Sequence, residues 1–135
     1  MIFVDTGAFI ARYVRRDNHH RQAKRAWGEI ERNHVRCFTS SFVLDETFTW
    51  LGRRASYVFA ADRARSLLHS AALTILRPDA EDEEEAVEVF AKFADQQVSF
   101  TDCVSFVLMQ RNRLERAFTF DRHFASAGFE IMPKG

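Results

Sequence analysis

The sequence predicts an α/β protein in which a mostly parallel central sheet is covered by helices on both faces. Short apolar runs of strand length alternate with longer stretches whose apolar residues recur every three or four positions. The first run, Ile2–Val4, has no polar residue, as expected of a strand buried on both sides. With 135 residues and 47% hydrophobic content, the chain is expected to form one domain over residues 1–135.

The segment after the first strand predicts two helices. The first follows Asp5, includes Arg15 and Arg16, and is broken at Asp17, while the second begins near His20. Their buried faces are expected from the helical spacing of apolar residues. These residues are Phe9, Ile10, Tyr13 and Val14 in the first helix, and Ala23, Ala26, Trp27 and Ile30 in the second.

The middle of the chain predicts a second strand and two more helices. The strand is expected over residues 35–39, and Ser40 or Ser41 then caps a helix that runs to about Gly52. Ser56 opens the next helix. The apolar stripe of that helix is predicted to contain Tyr57, Ala60, Ala61, Ala64, Leu67 and Leu68.

Three further strands and two helices complete the predicted order. Leu73–Leu76 forms the third strand, and Pro78-Asp79 starts a helix with an acidic first turn. Thr101 is predicted to cap a central helix, followed by strands over residues 117–120 and 129–131. The buried side of the acidic helix is expected to contain Val87, Phe90 and either Phe93 or Ala94, and that of the central helix Val104, Phe106, Val107, Leu108 and Met109.

Charge is divided unevenly along a chain whose net charge is zero. Residues 1–70 hold 12 Arg or Lys against 7 Asp or Glu, and residues 71–135 hold 7 against 12. Such polarity, with arginine far in excess of lysine, suits a polyanion partner. Cys37 and Cys103 are expected to be reduced core thiols, and the start on a core strand without a leader predicts a cytoplasmic protein.

Four acidic residues lie in or next to apolar segments, where burying a charge is costly unless the charge has a function. Asp5 and Asp121 each end an apolar strand, and Glu46 and Asp102 interrupt apolar helix segments. Because the carboxyl ends of parallel strands face one crevice, these groups can converge there on Mg²⁺ or Mn²⁺. Two alternatives stay open from the residues alone: Asp5 can instead cap a helix, and Asp45 can replace Glu46.

Other kinds of site are disfavoured. His19 and His20 fit a solvated helix entry better than a metal pair, and the acidic run over residues 81–88 lacks the alternation of a calcium loop. Zinc-ligand spacing, a Gly-rich phosphate loop and G-x-S-x-G are all missing from the sequence. Gly7 occupies the place of the second Asp of haloacid-dehalogenase-type phosphatases, and no Lys ends a strand as a receiver domain requires.

Four segments carry a family resemblance, in order and over essentially the whole chain. They are FVDTGAF at the start, SSFVLDETFTWLGRR, SFTDCVSFVLM, and AFTFDRHF near the end. Together they resemble the PIN-domain ribonucleases, in particular the VapC-type toxins of bacterial toxin–antitoxin pairs. The resemblance implies a three-layer α/β/α PIN-like fold. Gly7 departs from relatives that carry Ser or Asn there.

The resemblance also implies roles for individual residues. Asp5, Glu46, Asp102 and Asp121 are expected to be catalytic and to bind Mg²⁺ or Mn²⁺, with Asp45 outside the set. Behind them, Thr6, Ser105 and Thr119 are expected to support the carboxylates. His123 is expected to be an exposed residue at a helix start, although it can also shuttle protons. Arg15 and Arg16 are the expected RNA contacts.

The implied activity is hydrolysis of RNA phosphodiester bonds, and the implied partners are RNA, a cognate antitoxin and a second copy of the chain. An antitoxin arginine can replace the metal cation in the acidic pocket. Its amphipathic segment is expected in an exposed groove between the Phe9/Tyr13 helix and the Trp50 helix. The alternatives are an inert PIN-like module that binds RNA or protein, and a housekeeping RNA-processing nuclease.

Overall fold

The computed structural model describes residues 1–134, and its centre is a five-stranded sheet of order β3-β2-β1-β4-β5. All four strand pairs are parallel, including those of the two edge strands. The predicted α/β class is therefore confirmed. From β1 the strand order runs to β2 on one side and to β4 on the other, which opens a crevice beyond their carboxyl ends. The strands are β1 (Ile2–Val4), β2 (Cys37–Ser40), β3 (Leu73–Leu76), β4 (Arg116–Phe118) and β5 (Glu130–Met132).

Helices connect the strands and flank the sheet. Trp27 reaches the sheet on one side, where its ring contacts Phe9 and Phe118 and its indole N–H donates to the Ala8 carbonyl at 3.1 Å. The helices are α1 (Thr6–Tyr13), α2 (His20–Arg32), α3 (Ser41–Arg54), α4 (Tyr57–Leu68), α5 (Ala80–Lys92), α6 (Phe100–Arg111) and α7 (His123–Ser126), with a 3-10 turn at Ala94–Gln96.

Pairing with neighbours shifts three predicted strands, of which the last, expected over residues 129–131, lies at Glu130–Met132 beside β4. The strand expected over residues 35–39 lies at Cys37–Ser40, because it pairs along its whole length with Leu73–Leu76. The strand expected over residues 117–120 ends at Phe118, because β1, its partner, ends at Val4. Thr119 and Phe120 therefore lie between β4 and Asp121, which does not end the strand directly.

Two helix termini also differ from the prediction. Helix α1 ends at Tyr13 because Val14 is extended, so Arg15 and Arg16 lie in the turn after it. Helix α6 is capped by Ser99, not Thr101, since the Ser99 hydroxyl accepts from the Asp102 N–H at 3.1 Å. The predicted burial of α6 is confirmed, as every residue from Asp102 to Met109 is buried.

The buried stripes of α4 and α5 are narrower than predicted. In α4 only Ala60 and Leu67 are buried, and Tyr57 is exposed. In α5 the expected Val87 and Phe90 are exposed. The inward face of α5 contains Asp82, Ala86 and Val89, and continues to Phe93 at its C-cap. Asp82 faces inward and pairs with Arg111 of α6. Cys37 and Cys103 are buried and free, and no helix within residues 1–134 has the length and apolar character needed to cross a membrane.

Candidate functional site: an acidic pocket at the sheet edge

A cavity of about 530 Å³ opens at the carboxyl ends of β1 and β4, and all four predicted acidic residues line it. Asp5 follows β1, Glu46 lies on α3, Asp102 is in the first turn of α6, and Asp121 precedes α7. These four elements are far apart in sequence, and the parallel sheet brings their ends to one edge. We name this cavity the acidic pocket.

Asp5 occupies a helix N-cap position without acting as a side-chain cap. Its backbone is extended before α1, but its side chain forms no capping hydrogen bond to the helix. Instead, the Thr119 hydroxyl donates to Asp5 Oδ2 at 2.8 Å and accepts from the Asp121 N–H at 3.0 Å. Thr119 thus ties the chain segments after β1 and β4 together and orients Asp5 toward the pocket.

Asp102, Asp121 and His123 form the tightest cluster of potential metal ligands. Each offers one ligand atom, and these atoms lie within 4.8 Å of one another. Asp121 Oδ1 accepts from the backbone N–H of His123 at 2.9 Å and lies 2.8 Å from Nδ1 of the same residue. The His123 ring is half-buried and holds the Asp121 carboxylate in place, so it is not the freely exposed residue that the sequence predicts.

Glu46 and Asp45 have different environments although they are neighbours on α3. Glu46 is half-buried and lines the acidic pocket. Asp45 is exposed and contributes nothing to the wall of the pocket. The helical rotation of one residue therefore separates a pocket carboxylate from a solvated one.

Burial and mutual repulsion disfavour the charged forms of Asp5 and Asp102. Three causes together raise the pKa of Asp102 to about 9. The largest is burial, followed by the charge of Asp5 and a hydrogen bond to Asp121. Burial also raises the pKa of Asp5 to about 6, although hydrogen bonds from Thr119 and the Thr6 N–H lower it. Without a bound cation, the pocket therefore keeps a proton on Asp102 at neutral pH.

The residues present fit a hard divalent cation. Carboxylate oxygens from several elements are the ligands that Mg²⁺ and Mn²⁺ prefer. Thr6 Oγ1 is buried beside Asp5 and, within residues 1–134, has no hydrogen-bond partner, so one hydroxyl at the pocket remains available. Ser105 differs, because its hydroxyl donates to the Thr101 carbonyl at 3.0 Å and thus satisfies its own helix.

The pocket wall also contains residues that sequence reasoning missed. Ser99 caps α6, and Gln97 has a left-handed backbone with φ of +56° just before it. Arg122 is an exposed cation at the rim, and Phe120 forms part of the wall. The DRHF segment contains Arg122, but nothing in its sequence indicates that the arginine borders the carboxylates.

The two arginines predicted to contact RNA lie in the exposed turn between α1 and α2. Arg16 Nη2 donates to the Arg54 carbonyl at the end of α3, which fixes its side chain next to that helix. Neither Arg15 nor Arg16 lines the acidic pocket itself.

Comparisons with known proteins agree with this geometry. A family model described as the PIN domain matches residues 2–130. The chain is 35% identical over 135 residues to the 23S rRNA-specific endonuclease VapC20 of two Mycobacterium tuberculosis strains, CDC 1551 and H37Rv, covering 99% of this chain and 100% of the relative.

Solved structures give the same result. The crystal structure of Mycobacterium tuberculosis VapC20, described as a Sarcin-Ricin loop cleaving toxin, matches with a TM-score of 0.87 and 33% identity over 96% of each chain. DNA-bound VapBC from Salmonella typhimurium matches with a TM-score of 0.64 and 16% identity over 97% of each chain, which shows the shared fold. The chain therefore belongs to the PIN-domain family, within its VapC group.

Proposed function

We propose that this chain is an endoribonuclease that hydrolyses RNA phosphodiester bonds with Mg²⁺ or Mn²⁺ and acts as the toxin of a toxin–antitoxin pair. The observation that supports this most directly is Asp102, which is buried in a wall of carboxylates and has no salt bridge within residues 1–134. An ionised carboxylate in that position is destabilising unless a cation compensates its charge, and without a cation the group takes up a proton. VapC membership supplies the substrate class.

The proposed roles follow from the contacts of each residue. Asp5, Glu46, Asp102 and Asp121 would hold the cation, which when bound supplies Lewis acidity and a water of lowered pKa. Thr119 orients Asp5, and His123 orients Asp121 through its Nδ1. Asp102 releases its proton from the carboxyl group when the cation binds, so metal affinity should rise with pH.

Cleavage assays with acid-to-amide variants test the proposal. Wild-type protein should cut RNA in Mg²⁺ or Mn²⁺ and lose that activity in chelator, and Asp5→Asn and Asp102→Asn should be inactive while folded. Asp45→Asn is the matched control for Glu46→Gln, because the two residues are adjacent and only Glu46 lines the pocket. Absence of cleavage by the wild type on every RNA tested would leave an inert PIN-like module.

The first substrate to test is ribosomal RNA. The relative that shares 35% identity is named a 23S rRNA-specific endonuclease, and the chain matches it over its full length. We propose 23S rRNA as the target of this chain as well. Sequencing of RNA ends after brief expression of wild type and Asp102→Asn would identify the cut, and a cut confined to precursor RNA would instead indicate a processing nuclease.

The proposed partners are a cognate antitoxin and a second copy of the chain. An antitoxin arginine in the acidic pocket would form paired hydrogen bonds with two carboxylates in place of the cation. Inhibition should then compete with Mg²⁺ and weaken when that arginine is removed. The functional unit is proposed to be the single domain of residues 1–135, supported by its one continuous sheet, and light scattering would test dimerisation.

A further inference from the structure

A second cavity, of about 480 Å³, adjoins the acidic pocket and has a different character. Three aromatic side chains line it, His19, Trp50 and Phe120, together with Ile10 of α1. We name it the aromatic groove. Its other lining residues are Gly7, Asp17 and Arg54. The sequence prediction of a groove between α1 and α3 is correct in location, but Phe9 is fully buried in the core and does not reach it.

The aromatic groove is continuous with the acidic pocket. Gly7 and Phe120 line both cavities, and Phe120 directly precedes Asp121. Gly7 has no side chain to stand between them, and even a Cβ placed there would meet only the Phe120 ring, at 3.8 Å. A strand of RNA with one phosphate over the carboxylates would therefore place a neighbouring nucleotide at the groove.

Two rings in the groove are already arranged as a stack. The His19 and Phe120 rings have centroids 4.2 Å apart and planes within 6° of parallel. Phe120 is half-buried and packs edge-on against Phe118, whereas His19 is exposed. The stack therefore has a supported inner ring and an outer ring open to solvent, which is the form of platform on which unpaired bases stack.

The groove is held open by a charged contact. Asp17 accepts from the His19 N–H through Oδ1 at 2.9 Å and from Arg54 Nη1 through Oδ2 at 2.8 Å. This carboxylate thus joins the turn that carries His19 to the end of α3, which carries Trp50. The two sides of the groove are fixed in the protein as it stands, so a ligand need not order them.

The surroundings of the groove favour a polyanion over an apolar protein segment. Arg53 lies over the Trp50 ring at 5.6 Å, Arg54 lines the groove, and Arg16 donates to the Arg54 carbonyl. One arginine therefore lines the apolar, aromatic surface, and two more contact residues that line it. A single-stranded nucleic acid presents this combination, with flat bases for the rings and phosphates for the arginines.

We propose that the aromatic groove binds a nucleobase of the RNA strand by stacking, next to the nucleotide whose phosphate lies over the acidic pocket. The proposal rests on the proposed ribonuclease function and adds the subsite that positions unpaired RNA. His19 and Trp50 act as stacking surfaces, and Arg16 and Arg54 attract the adjacent phosphates.

The test measures binding of a fluorescent single-stranded RNA hexamer to full-length Asp102→Asn protein, which should not cut it. Adding His19→Ala or Trp50→Ala should weaken binding about 5- to 150-fold, the range for loss of one stacked base. His19→Phe should keep the affinity, because it preserves the ring. His69→Ala is the control, since this exposed histidine follows α4 and precedes β3 at the opposite edge of the sheet.

Two further measurements distinguish stacking from charge. In a series of hexamers that each lack one base, only one position of the missing base should weaken binding to the Asp102→Asn protein. That loss of affinity should vanish when Trp50 is also replaced by Ala. The aromatic variants should leave the salt dependence of binding unchanged, while Arg54→Ala should reduce its slope.

The outcomes separate this proposal from the proposed function. If wild-type protein cuts RNA but neither aromatic variant nor any abasic position alters binding, the groove proposal is wrong and the nuclease stands. If the variants change only inhibition by a purified antitoxin, the groove is a protein-docking surface and the proposal is again wrong. Failure of the wild type to cut any RNA would count against the nuclease itself.

Discussion

Asp82 and Asp102 are two buried acids in the first turns of helices, and each is 7% exposed. The buried carboxylate of Asp82 has partners for both of its oxygens. Its Oδ2 accepts from the Asp79 N–H at 2.9 Å in a reciprocal capping box, and Arg111 donates to its Oδ1. Asp102 instead faces Asp5 and Asp121, which raise its pKa, and it forms no salt bridge within residues 1–134.

The difference separates an acid with a structural role from an acid that we propose to be functional. A carboxylate with a cap and an arginine contributes to the stability of its helix pair. A carboxylate among other carboxylates lowers stability, so its presence points to a ligand outside the chain. Burial alone does not distinguish the two residues, because it is equal for both.

The largest expected effect is the loss of activity in Asp102→Asn. Removing a ligand should lower the cleavage rate by more than about 100-fold, because changing only the partners that orient ligands costs about 10- to 100-fold. The metal-free variant should melt no lower than wild type, since the cost of burying and protonating Asp102 is gone. Cleavage kinetics and thermal melting in chelator check both. Wild-type activity in a well-purified Asp102→Asn protein would contradict the assignment of Asp102.

The next effect concerns Thr119, whose hydroxyl holds Asp5. Thr119→Val removes the bonds to Asp5 Oδ2 and to the Asp121 N–H, so activity should fall about 10- to 100-fold. Ser105→Ala is the matched control, since that hydroxyl bonds only its own helix, and its cleavage rate should be close to wild type. Equal losses in the two variants would show that Thr119 acts only through general stability.

A smaller effect, on stability alone, is expected at Asp82. Asp82→Ala removes one half of a capping box and one partner of Arg111, which should cost about 1–2 kcal/mol in the free energy of unfolding. Arg111 keeps Glu85 as a second partner, which limits the loss. Urea denaturation measures the change, and cleavage per folded molecule should be unchanged. A drop in specific activity without a drop in stability would place Asp82 in the functional machinery.

A further expected effect is the pH dependence of stability in the metal-free protein. Because the pKa of Asp5 is raised to about 6 and that of Asp102 to about 9, the folded state binds more protons than the unfolded state above pH 4. Stability should therefore fall as pH rises from about 4 to 9, by at most about 1.4 kcal/mol per pH unit for each proton. Denaturation in chelator at several pH values would measure this slope.

Two changes should flatten that slope. Asp102→Asn removes one titrating group, and Mg²⁺ binds the ionised pocket and stabilises it more at higher pH. A slope unaltered by both Asp102→Asn and Mg²⁺ would show that other groups control the titration.

Sequence pattern was enough to predict the layered fold and the candidate acidic positions, and the family resemblance then selected Glu46 over Asp45. Uninterrupted apolar runs such as Ile2–Val4 specify buried parallel strands, and carboxylates at their ends converge at one edge because parallel strands share a direction. The alternation of strands and helices and the reduced state of both cysteines also followed from local pattern. The strands, the helices and the apolar surroundings of the cysteines depend on residues close together in the chain.

Tertiary structure alone decided which side chains support or border those acids. Asp5 and Thr119 are 114 positions apart, so their hydrogen bond depends on β1 pairing with β4. The stack of His19 on Phe120 and the inward turn of Asp82 toward Arg111 likewise join distant elements. Helical periodicity predicts the interval between the buried residues of a helix but not which side of the helix faces the core. The element that packs against the helix decides that side.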